Sequence, residues 1–98
     1  MTRPQLIVQT PERLRVEGDL TFATVPDLLT DRVWPRAQVT VDLGGVGATD
    51  SAAVALLLEW CRVARQHDSS LRLEACPERL QQLVKVHGVE SLFQPPAA

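Results

Sequence analysis

Ninety-eight residues suffice for one domain that buries about two-thirds of its unfolded surface, and ten basic against twelve acidic residues, a net charge of -2, exclude a chain built to neutralise a nucleic-acid backbone. Two cysteines fifteen positions apart, Cys61 and Cys76, with no second pair and no histidine cluster, exclude a zinc site and a disulfide framework and read as reduced, structural thiols. The start Met1-Thr2-Arg3-Pro4-Gln5 has no apolar leader core and the longest apolar run, Ala52 to Leu58, is too short to span a bilayer. A cytoplasmic location is expected, without direct membrane insertion.

Leu6-Ile7-Val8 is a short apolar run ended by Thr10-Pro11-Glu12-Arg13, and Leu14-Arg15-Val16-Glu17 alternates as a half-buried strand does. A β-hairpin is the economical reading, closed by Gly18-Asp19. Phe22, Val25, Leu28, Leu29 and Val33 then recur at helical spacing up to Trp34-Pro35. Pro26 lacks an amide hydrogen and is tolerated only in a first turn, so this first helix is expected to begin near Thr24, with Asp27 as a capping-box partner.

Val39-Thr40-Val41-Asp42-Leu43 is β-branched and alternating, which predicts a strand with Val39, Val41 and Leu43 on one face. Gly44-Gly45-Val46-Gly47 reads as a loop turning that strand into a helix. It is not a phosphate-cradling loop, because Thr49-Asp50-Ser51 stands where a lysine followed by serine or threonine would be needed.

Asp50 and Ser51 are both good helix caps, so a second helix is expected over about Ser51 to Gln66. As a cap, this pair needs no further role. The same position places Ser51 among free amides and the positive end of the helix dipole, where an anion, including a phosphate on the serine, is stabilised. The helix carries two apolar stripes, Val54, Leu57, Leu58, Cys61 and Ala64 on one side and Ala53, Leu56, Trp60 and Val63 beside it. So wide an arc means either burial in a larger core or a patch shown to a partner.

After His67-Asp68-Ser69-Ser70, Leu71-Arg72-Leu73 reads as a fourth strand. Pro77-Glu78 opens a third helix, with Leu80, Leu83, Val84 and Val86 as inward candidates and His87-Gly88 at its end. The tail through Leu92-Phe93-Gln94-Pro95-Pro96 is expected to be mostly irregular. The order ββαβαβα predicts an α/β domain, a mixed four-stranded sheet covered by about three helices.

Catalysis finds little support. His67 and His87 fall in no nucleophile or metal motif, and Asp19, Asp42 and Asp50, though at expected strand or loop ends, have no accompanying nucleophile. Neither a cofactor nor a metal is implied.

From about Leu14 to Phe93 the chain resembles the STAS domain family, to which anti-sigma-factor antagonists and a regulatory subunit of bacterial lipid-transport ABC systems belong. The carriers are Gly18-Asp19-Leu20-Thr21-Phe22-Ala23-Thr24-Val25-Pro26, Val41-Asp42-Leu43, and Thr49-Asp50-Ser51 before an Ala/Leu-rich helix. The resemblance implies that Ser51 matches the antagonists' phosphorylation site and that the surface around it meets the partner protein; together with the apolar patch of the second helix, the partner-binding candidates are Thr49, Asp50, Ser51, Ala52, Leu56 and Trp60. Antagonists generally carry a glycine soon after that serine, where this chain has Ala52-Ala53. Leu56-Leu57-Leu58-Glu59-Trp60 and the Gly18 to Pro26 segment look closer to the MlaB-type subunits of Mla phospholipid transporters. That implies a non-catalytic subunit bound to an MlaF-like ABC ATPase at the inner membrane, supporting outer-membrane lipid asymmetry. An anti-sigma factor antagonist controlled by phosphorylation at Ser51 is the alternative.

Overall fold

A computed structural model describes residues 3–28 and 34–88. Strands β1 (Gln5–Thr10), β2 (Arg13–Leu20), β3 (Gln38–Thr49) and β4 (Ser70–Glu74) form one sheet in the order β1-β2-β3-β4. The first pair is antiparallel and the other two are parallel, so the expected mixed four-stranded sheet is present. Helices α1 (Ser51–Gln66) and α2 (Glu78–Val86) complete the order.

Alternation decides the layers. In β2 every second residue is buried, Leu14, Val16, Gly18 and Leu20, and in β3 Val39, Val41 and Leu43 join them on the same side. One sheet face therefore makes a core with α1 and α2. The other carries a row across all four strands, Ile7, Arg15, Asp42 and Glu74, that faces solvent.

Three expectations need correction. Two α-helices are present among the described residues where three were expected, because Val25–Leu28 winds as a single 3-10 turn. In that turn the Asp27 amide reaches back three residues to the Thr24 carbonyl, and Val25 and Leu28 are buried while Phe22 is 74% exposed. Leu29 and Val33 lie outside the described residues.

Secondly, Gly18-Asp19 does not close a hairpin, and Gly44 to Gly47 is not a loop. Both stretches belong to strands, β2 and β3. Between Arg15 and Glu17, and again between Gly18 and Leu20, the facing β3 segment uses one residue more than β2. Such bulges absorb the extra length without ending the strand. Gly18 has φ +96, and a Cβ there would overlap the carbonyl of Arg3. Only glycine suits that crossing.

Thirdly, the wide apolar arc of α1 faces inward. Ala52, Ala53, Val54, Leu56, Leu57, Trp60, Cys61 and Ala64 are all buried, since α1 packs on β4 and is flanked by α2 and the 3-10 turn. Leu56 and Trp60, expected at a partner surface, are 1% and 4% exposed. They are core residues. The α2 expectation holds for Leu80 and Val84, which are buried, but Val86 is 81% exposed. The expected C-terminal tail lies outside the described residues.

Candidate protein-binding site

The end of β3 delivers Thr49, Asp50 and Ser51 to one end of the sheet. Glycine makes room on the way: a Cβ on Gly47 would stand 2.6 Å from Asp19 Oδ1, the atom that accepts the Ala48 amide at 2.9 Å. Asp19 thus fastens the last residues of β3 to the end of β2. The Asp50 amide adds a second tie, donating to the Leu20 carbonyl at 3.2 Å.

Asp50 is the N-cap of α1. Its extended backbone, φ -140 and ψ -168, aims Oδ1 at the Ala52 amide, 2.8 Å away. Its other oxygen accepts from the Phe22 amide at 3.1 Å. One carboxylate thus satisfies a free donor of the helix and anchors the loop after β2. Thr24 stiffens that loop from within: Oγ1 donates to the Asp19 carbonyl at 2.7 Å and accepts from the Thr21 amide at 2.9 Å.

Ser51 is the first helical residue and is exposed. Its Oγ lies 3.4 Å from Nε2 of His87, the residue that caps the C-terminus of α2. Two apolar residues tied to these positions are exposed, Phe22, whose amide Asp50 holds, and Val86, which precedes His87 in α2. Thr49 is 8% exposed, and its Oγ1 has no hydrogen-bond partner among the described residues. The expected site residues therefore divide. Asp50 and Ser51 stand at the surface end of α1, whereas Thr49, Ala52, Leu56 and Trp60 lie beneath it.

Sequence reasoning missed Phe22, Val86 and His87 as members of this surface. Helical spacing groups Phe22 with Val25 and Leu28 and makes Val86 an inward candidate. The signal available for Phe22 was Pro26, which disfavours a regular helix through that segment. No local signal brings His87 to Ser51, since the contact depends on how α2 packs against α1.

On the solvent face of the sheet, Asp42 accepts from Arg15 at 2.9 Å and from the Gly44 amide at 2.9 Å, and Arg13 holds Glu74 through two bonds of 3.1 and 2.7 Å. The Gly44 amide, and after it the Arg15 and Arg13 guanidinium groups, hold the Asp42 carboxyl below its ordinary range. Its charge is consumed within the fold. Cys61 and Cys76 form no disulfide, and burial pushes the Cys76 thiol up to about 11. A thiol so protonated at neutral pH is a poor nucleophile.

Residues 7–94 match a family model described as Mlab, STAS domain. The chain belongs to the STAS family. Its fold is similar to that of a sulfate transporter family protein from Wolinella succinogenes, with TM-score 0.67 and 18% identity over 88% of this chain and 75% of that one. It is also similar to the anti-sigma factor antagonist SpoIIAA in its unphosphorylated form, with TM-score 0.60 and 16% identity over 84% of this chain and 81% of that one. At such identities the likeness concerns the fold. No curated protein sequence matches. STAS domains are generally non-catalytic interaction or regulatory domains, and no helix among the described residues of this one is long and apolar enough to cross a membrane.

Proposed function

We propose that this STAS domain is a non-catalytic, MlaB-type subunit that binds the ATPase of an inner-membrane phospholipid-transport ABC complex and supports its assembly or activity. The observation that carries the lipid-transport reading is the match over residues 7–94 to the family described as Mlab. The surface supports a binding role. Ser51 and His87 form a small polar centre, and exposed Phe22 and Val86, on backbone held by the Asp50 bonds and by α2, are available for apolar contact. Aromatic anchors on fixed backbone lose little entropy on binding.

In this reading the protein acts in the cytoplasm and reaches the inner membrane through the ATPase. Co-expression with the ATPase subunit encoded beside it, followed by size-exclusion chromatography, gives one co-eluting complex. Separate elution at about micromolar concentrations, where a specific interface still holds, removes the proposal.

The second reading, an anti-sigma factor antagonist, is favoured by the exposure of the Ser51 hydroxyl at the first position of α1. It is distinguished by capture of an anti-sigma kinase in place of the ATPase, and by release when Ser51 is phosphorylated.

A further inference from the structure

Among the described residues the sheet has two edges, and they are treated differently. At one edge β4, Ser70–Glu74, carries Arg72 and Glu74, the kind of charge that discourages a second strand from pairing there. At the other, β1 is Gln5-Leu6-Ile7-Val8-Gln9-Thr10, without charge and with five of its six residues exposed. Alternate residues of an edge strand direct N–H and C=O groups away from their neighbour, so this edge is a template for another strand.

The side chains of β1 also match themselves in reverse. Around Ile7 the strand reads Gln, Leu, Ile, Val, Gln in one direction and Gln, Val, Ile, Leu, Gln in the other. We propose that β1 pairs antiparallel with β1 of a second copy of this chain, about a two-fold axis through Ile7, to make a continuous eight-stranded sheet. In that register Ile7 faces Ile7 and Leu6 faces Val8, so three regular residues of each strand pair, and the glutamines flank them. Residues directly opposite in an antiparallel pair share a face. Leu6 and Val8 of both copies therefore lie together on the helix-covered side, extending the core row Val8, Leu14, Val41 and Leu73.

On the opposite face, Ile7 is the one aliphatic member of the row that continues through Arg15, Asp42 and Glu74. It stands where the row reaches the edge, 37% exposed, and Val8 beside it is 59% exposed. Pairing with a second copy covers both and introduces no charge repulsion between the strands. The bulge in β1 falls at Gln9, between Val8 and Thr10, so the pairing is confined to Leu6, Ile7 and Val8, which lie in the regular part of the strand. A short strand pair makes a small interface, so the dimer is weak and dependent on concentration.

Sedimentation equilibrium of the purified 10.8 kDa chain tests this. The mass is expected to rise from monomer toward twice that value as concentration increases from about 10 μM to about 1 mM, the range where a weak interface fills. Ile7→Glu places a carboxylate beside Arg15 within one copy but opposite its own image across the axis, so it abolishes the rise. Ile7→Lys does the same, and mixing the two variants restores it. Circular dichroism establishes that each variant is folded, and Val8→Lys, at the more exposed position, replaces any variant that is not. A parent that remains monomeric throughout, a dimer that survives Ile7→Glu, or a mixture that stays monomeric overturns the proposal. Co-purification of a different protein on this edge, competed by a Gln5–Thr10 peptide, assigns the edge to that protein and likewise overturns pairing between copies.

Discussion

The Asp50 carboxylate holds the Phe22 amide against the first turn of α1: Oδ2 accepts from Phe22 at 3.1 Å while Oδ1 accepts from Ala52 at 2.8 Å. Two segments distant in sequence thus depend on one side chain. The bond adds to the Thr24 bonds within the loop and fixes the backbone of an aromatic residue that is 74% exposed. The cap of α1 and the geometry of the proposed binding surface are the same interaction.

Asp50→Ala is expected to cost about 1–2 kcal/mol, the loss of a helix cap with the loop bond added. Asp50→Asn still supplies one acceptor and recovers most of the stability, but it cannot accept from both amides through equivalent oxygens. Partner affinity should therefore fall in the asparagine variant further than stability does. Urea midpoints alongside titration calorimetry with the ATPase measure the two separately. Equal effects on both would mean that the Phe22 bond does not shape the surface.

Acidification acts through the solvent face of the sheet. Asp42 is held below its ordinary 3.8, chiefly by the Gly44 amide and then by Arg15 and Arg13, and Glu74 below its ordinary 4.5, chiefly by its bonds to Arg13. A carboxyl depressed in the folded state contributes stability above its unfolded pKa and loses that contribution as pH falls through the folded value. Stability should be full above about pH 5 and fall below about pH 4. Asp42→Asn should lower stability near neutrality by about 1 kcal/mol, since its side chain is only 13% exposed, and should flatten the acid limb. Denaturation at pH 7 and pH 3.5 reads this out; an unchanged acid limb would place the sensitivity elsewhere.

Phe22 and Trp60 are both aromatic, yet their exposures of 74% and 4% separate their roles. Trp60→Ala opens a cavity in the core and should cost about 3–5 kcal/mol, visible as a large drop in Tm. Phe22→Ala should change stability by no more than about 0.5 kcal/mol, as surface substitutions do. Its effect belongs in binding, an affinity loss of about tenfold or more. A Phe22→Ala protein that binds the ATPase like the parent would remove Phe22 from the interface.

Much of the fold was legible where local pattern and tertiary packing agree. The β-branched alternation of Val39 to Leu43, the Asp50-Ser51 cap and the Gly88 stop with φ +67 lie where sequence placed them, and α1 has the expected bounds. The glycines misled in a specific way. Gly44, Gly45 and Gly47 suggest a loop by composition, but their function is to clear space for Asp42, Glu17 and Asp19 beside a bulged strand. Cross-strand crowding of that kind leaves no local signature. The arc on α1 was readable as apolar, while the choice between core and partner depended on α2 and the 3-10 turn closing over its flanks.

Ser51 provides the last prediction, because a charge there acts differently on folding and on binding. At the first position of α1 a negative charge is favoured by the helix dipole, and His87 Nε2 is 3.4 Å from the hydroxyl, so Ser51→Glu should melt close to the parent. Ser51→Ala leaves the Asp50 cap intact and should also stay within about 0.5 kcal/mol. Binding is where the variants part. An added carboxylate must be desolvated against the partner, and it replaces the hydroxyl that His87 contacts in the parent. Affinity is expected to fall about tenfold or more for Ser51→Glu and less for Ser51→Ala. A double variant, Ser51→Glu with His87→Ala, discriminates further: if His87 accommodates the charge, its removal lowers the melting temperature of the glutamate variant more than that of the parent. Normal melting with undiminished ATPase binding by Ser51→Glu would leave Ser51 a helix-start residue with no part in recognition.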